Sequence, residues 1–122
     1  MLKHIREFNK RVAIVGLRAT KAKDVGGLLA FCLKRQNSKG GDIQLFDAEK
    51  IATWQHLHFA LLNALTSFRD GRNISRSLAM ETMLYASAQH QIRKATEMLG
   101  VKPNTKKIAL LIAGSSTESV ES

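Results

Sequence analysis

Apolar residues fall in two patterns along this chain, short unbroken runs and stripes at helical spacing. Val12-Ala-Ile-Val-Gly-Leu17 is a run rich in β-branched residues between basic flanks, and it predicts a strand covered on both faces. Asp24 stands where an N-cap would for a helix from Val25 to about Arg35. Gly26 and Gly27 weaken its first turn or permit close packing on a sheet. Asn37-Ser-Lys-Gly-Gly41 has loop composition, and Ile43-Gln-Leu-Phe46 predicts a second strand ended by Asp47.

The strongest helical stripe is Trp54, Leu57, Leu61, Leu62, Leu65 and Phe68, behind a Thr53 N-cap and before an αL-type stop at Gly71. Ser75 or Ser77 opens a further helix with Leu78, Met80, Met83 and Leu84 as its apolar contacts. Another follows, with Ile92, Ala95, Thr96 and Leu99 on one side, stopped by Gly100 and Pro103. Ile108-Ala-Leu-Leu-Ile112 is apolar throughout and predicts a central strand. Ser115-Ser-Thr-Glu118 has capping-box spacing, but the chain stops at Ser122, so it reads as a helix start without a body and the chain as truncated there. Strands and helices together predict a single domain of α/β (α+β) class over residues 1–122.

Composition narrows the function. A chain of 122 residues, 44% hydrophobic and 24% charged, suits one soluble core. No apolar run has the length of a membrane helix, the N-terminus has no signal-peptide core, and one cysteine, Cys32, makes no intrachain disulfide; a reducing cytoplasm is the expected location. The net charge of +9 is uneven. It is +6 over residues 1–23, zero over 24–68, +5 over 69–107 and −2 over 108–122. Two basic blocks around a neutral middle point to a phosphate-bearing partner.

The signatures of catalysis are missing. There is no P-loop, no dinucleotide-binding glycine motif and no nucleophile elbow. Cys32 sits in the apolar context Phe31-Cys-Leu33, which predicts a buried, inert thiol. His56 and His58 are two residues apart, so a helix points them to different faces and neither a metal nor a cofactor is expected. The acidic residues form no close pair suited to acid–base work. The exception to this plainness is Tyr85-Ala-Ser-Ala-Gln-His-Gln-Ile-Arg-Lys94, a polar and basic stretch between two apolar helices. It is either a hydrated helix junction or a surface for an anionic partner.

Residues 45–103 carry a resemblance. Leu45-Phe-Asp-Ala48, Trp54-Gln-His-Leu57, Gly71-Arg-Asn-Ile-Ser75, Ser77-Leu-Ala-Met-Glu81, Tyr85-Ala-Ser87, Gln89-His-Gln-Ile92 and Gly100-Val-Lys-Pro103 follow in an order similar to the small tRNA-binding subunit of the KEOPS complex. That family includes the PRPK-binding protein TPRKB, and its archaeal members are the nearest in character. The resemblance implies a small mixed β-sheet packed against several helices. It also implies a non-catalytic subunit of the complex that installs threonylcarbamoyl-adenosine in tRNA. Such a subunit docks on the small kinase-like ATPase subunit and captures the single-stranded 3′ CCA end of tRNA. No membrane and no small-molecule substrate are implied.

A site for an unpaired RNA end needs cations for phosphates, amides and hydroxyls for base edges, and a flat group for stacking. Ser87, Gln89, His90 and Gln91 supply the polar set, and the start of the following helix offers free N–H groups. Arg93 and Lys94 come next in sequence, while Arg69, Arg72 and Arg76 lie at the preceding junction. Tyr85 or His56 supplies the stacking ring. Two departures from the family pattern matter. Ala88 stands where the family has glycine, which is unfavourable if φ there is positive. His90 stands where the family has arginine, a loss of about 1–2 kcal/mol of phosphate attraction. Two other readings compete: a protein-interaction adaptor for a small kinase without direct RNA binding, and a small-molecule domain using a pocket around His56 and His90.

Overall fold

In the computed structural model, residues 2–5, 10–19, 21–39 and 41–115 are described. Strands β1 (Leu2–Ile5), β2 (Lys10–Arg18), β3 (Asp42–Asp47) and β4 (Lys107–Ser115) form one sheet in the order β1-β2-β4-β3. Helices α1 (Ala22–Lys39), α2 (Trp54–Arg69), α3 (Leu78–Ser87) and α4 (Ile92–Leu99) complete the α+β architecture expected from the sequence. The sheet itself differs from the expected mixed one: all three pairings among the described strands are antiparallel. β2 and β3 do run parallel to each other, but β4 lies between them. β4 is central, as its apolar composition predicts. β1, in a basic segment with little strand signal, was not anticipated.

Strand register sorts the core into two layers. Val12 pairs with Ala113 and Ile14 with Leu111. These four, with Phe46 and Ala109, form one face and pack against Leu57, Leu61, Leu65, Leu84, Ala95 and Leu99 of α2–α4. On the opposite face Ile43, Leu45 and Ile108 pack against Val25 and Cys32 of α1. One helix covers that face where three cover the other. Val15 is consequently 41% exposed, so β2 is not the doubly covered strand its composition suggested.

Helix ends explain several differences in boundary. α1 begins at Ala22, so Asp24 lies inside its first turn rather than at the N-cap; its carboxylate accepts the Lys21 N–H at 2.9 Å, half of a capping box. Gly26 and Gly27 are exposed with open space around them, so they do not serve close packing on the sheet. Asn37 to Lys39, expected in a loop, continue α1. Thr53 caps α2 by accepting the His56 N–H at 3.4 Å, and Gly71 at φ 69° closes it. The Arg72 N–H reaches back to Ser67 O at 2.8 Å in a Schellman arrangement. Trp54 opens α2 at 43% exposure instead of joining the core. Ser77, not Ser75, caps α3 through the Met80 N–H at 3.1 Å. Ile92 is 44% exposed, and α4 buries only Ala95 and Leu99. Gly100 is required where it stands, because a Cβ there would lie 2.6 Å from Thr96 O. The Ser115–Glu118 capping-box expectation lies outside the described residues beyond Ser115. No helix among the described residues is long and apolar enough to cross a membrane.

Candidate nucleic-acid interface

α3 is short, and the chain turns sharply at both of its ends. The loop between α2 and α3 and the turn between α3 and α4 both border it. Between them lies a cavity of about 400 Å³. Its walls are Ile74, Leu84, Tyr85 and Ala88; Arg72, Gln89, His90 and Glu81 add the polar groups. Four of the residues expected from the sequence, Arg72, Tyr85, Gln89 and His90, thus meet at one place. This is an apolar pocket with a few convergent polar groups, the usual form of a ligand site.

The turn that presents Gln89 and His90 is set by Ala88, which adopts φ 57° and ψ 33°. The Ala88 N–H bonds Tyr85 O at 3.2 Å and the Gln89 N–H bonds Leu84 O at 3.1 Å, a second Schellman closure. Here an alanine occupies the left-handed position that normally favours glycine, so the departure noted in the sequence carries backbone strain. Tyr85 is 40% exposed, yet its hydroxyl shares a hydrogen bond with Oγ of the buried Ser67. The ring is held as a fixed wall.

Arg72 is exposed and pairs with Asp70 at 3.3 Å. The hydrogen bond from Arg69 holds the Asp70 carboxyl below its usual range, with Arg72 adding to the effect. Arg76, Gln91, Arg93 and Lys94 are exposed around the junction without lining the cavity. Arg93 pairs with Glu97 at 3.3 Å along α4. Gln91 is the N-cap of α4 but makes no side-chain cap bond.

Two expected site residues are placed differently. Ser87 is buried, and its hydroxyl donates to Leu84 O at 3.1 Å, so it belongs to the helix end and not to the outward polar set. His56 does not line the cavity. Its Nε2 lies 2.9 Å from Ala86 O, and since a carbonyl only accepts, Nε2 donates; its Nδ1 is buried and makes no hydrogen bond. His56 therefore ties α2 to the last turn of α3, and of the two candidate stacking rings only Tyr85 reaches the pocket.

Ile74 and Glu81 were missed by sequence reasoning. Ile74 is 56% exposed in a loop, and nothing in its local pattern marks it. Glu81 did leave a signal, a lone acidic residue inside the apolar run Leu78 to Leu84. It is 1% exposed, and its carboxylate accepts the N–H groups of Ile74 and Ser75.

With the pocket defined, comparison with known families decides the relationship. The family model of the kinase binding protein CGI-121 matches residues 22–122. The chain belongs to the CGI-121 family. This is the family to which the resemblance of residues 45–103 pointed, and the match takes in every element that builds the pocket. A comparison with curated proteins gives no match. The family is described as one of kinase-binding proteins.

Proposed function

We propose that this CGI-121 chain is a non-catalytic KEOPS subunit that binds the single-stranded 3′ CCA end of tRNA and docks the kinase-like ATPase subunit. The observation that carries the RNA half is the convergence of Arg72, Tyr85, Gln89 and His90 on one cavity of about 400 Å³. Tyr85 offers a ring for base stacking, Gln89 and His90 offer groups for base edges, and Arg72 offers charge for a phosphate. Exposed Arg76, Arg93 and Lys94 extend the positive surface for the adjoining strand. His56 and Ser87 support the pocket from behind by fixing the end of α3.

The docking half rests on the family's description as kinase-binding and on α1, whose Leu29 and Leu33, one turn apart on one face, are 46% and 61% exposed. This apolar surface lies on the other side of the sheet from the pocket, so RNA and protein would not compete.

A titration of a labelled single-stranded RNA ending in CCA, repeated at several salt concentrations, tests the RNA half. The four cations around the pocket give an expected log–log salt slope of roughly −2 to −3. Binding that ignores both salt and the terminal sequence would leave the kinase adaptor without an RNA role.

A further inference from the structure

Glu81 is the one fully buried carboxylate among the described residues, at 1% exposure, and RNA capture gives it no direct task. A buried carboxylate without a cation is costly unless N–H groups satisfy it. Here they come from the loop between α2 and α3. The Ile74 N–H lies 3.1 Å from both Oε1 and Oε2, and the Ser75 N–H lies 2.8 Å from Oε1. Further bonds stiffen the same loop: Asn73 Nδ2 donates to Ser75 O at 2.8 Å, and Ser75 Oγ donates to Ser77 O at 2.8 Å.

The tether has a directed consequence. Ile74 is fixed through its backbone while its side chain stays 56% exposed at the cavity wall. An exposed isoleucine held by its own amide is not there for core burial. It lines the same cavity as Tyr85, so the two give apolar walls to a slot also lined by Gln89 and His90.

We infer that Glu81 is a positioning residue, which through the Ile74 and Ser75 amides holds the Ile74 wall in the conformation that grips a flat ligand in this pocket. The inference rests on the RNA reading above for the identity of that ligand, an unpaired nucleobase.

The test uses the full chain and two readouts. Amide hydrogen exchange reads the tether without any ligand: in Glu81→Gln, exchange at Ile74 and Ser75 rises at least about 10-fold relative to the core amide of Leu61. Binding reads the consequence: the preference of the wild-type protein for tRNA carrying CCA over tRNA lacking it falls about 10-fold, while affinity for the CCA-less tRNA is unchanged. Ile74→Ala, at an exposed position, gives the same loss of preference, and the double variant is no worse than either single one. Faster exchange with the preference intact would make Glu81 a merely structural residue and overturn the inference. Unchanged exchange would remove the tether itself. Should Glu81→Gln not fold, wild-type preference in Ile74→Ala alone overturns the gripping wall. A wild-type protein that does not distinguish the two tRNAs sinks the RNA reading instead, and exchange at Ile74 and Ser75 still decides whether Glu81 holds the loop.

Discussion

The hydroxyl of Tyr85 bonds to the Oγ of Ser67, a side chain with 0% exposure, so α3 is fastened to α2 by the same residue that walls the pocket. The two roles separate by mutation. Tyr85→Phe keeps the ring and leaves Ser67 Oγ without its partner, at about 1–2 kcal/mol of stability measured by urea unfolding. RNA affinity changes little. Tyr85→Ala loses the ring as well, and RNA affinity falls by about 1–3 kcal/mol in polarisation titrations. Equal RNA affinity in Tyr85→Ala would mean that the ring is only a helix fastener.

Ala88 at φ 57° gives the opposite sign. Ala88→Gly removes the Cβ from a left-handed position and stabilises the protein by about 1 kcal/mol, less the entropy glycine adds to the unfolded chain. The midpoint of urea unfolding rises with an unchanged slope. A lower midpoint would show that the turn is relaxed with alanine in place.

His90 is exposed at the pocket mouth, so its substitution reads binding and not folding. His90→Glu weakens RNA binding while stability stays within about 0.5 kcal/mol. His90→Arg, which adds a permanent charge and a bidentate fork, tightens binding by about 1–2 kcal/mol at low salt and less as salt rises. Paired melting and polarisation measurements check both. A large loss of stability in His90→Glu would place the ring in a structural role.

Cys32 lies on the sheet-facing side of α1, and burial pushes its thiol up, against a smaller lowering by Arg35. The folded thiol therefore stays protonated when the unfolded one ionises near pH ~8.5. The associated stability is complete below that pH and is lost as pH rises towards the higher folded value. At pH ~8 a thiol reagent reacts with the native protein far more slowly than with the urea-unfolded chain. Equal rates would mean that α1 does not shield the thiol.

Much of this was legible in the sequence because strong periodicity and capping chemistry are local. The Leu57–Leu61–Leu65 stripe, the Thr53 cap and the Gly71 stop each follow from residues within one or two turns. What failed depended on neighbours far along the chain. Val15 is exposed because a single helix covers its face, and Trp54 because α2 starts beyond the core. Within the site, Arg72, Tyr85, Gln89 and His90 were expected and do meet. Ser87 and His56 were expected too, but they turn inward, because a helix end demands partners for its carbonyls: Leu84 O takes the Ser87 hydroxyl and Ala86 O takes His56 Nε2. Ile74 was invisible because its role comes from a carboxylate seven residues away.

Fluorescence polarisation at physiological salt compares full-length tRNA directly with the same tRNA lacking its 3′ CCA. Tighter binding of the intact tRNA by at least about 10-fold is expected if the unpaired end enters the pocket beside Tyr85 and His90. Equal affinity for the two would contradict it, leaving the positive surface as a general attraction and the pocket without its nucleotide.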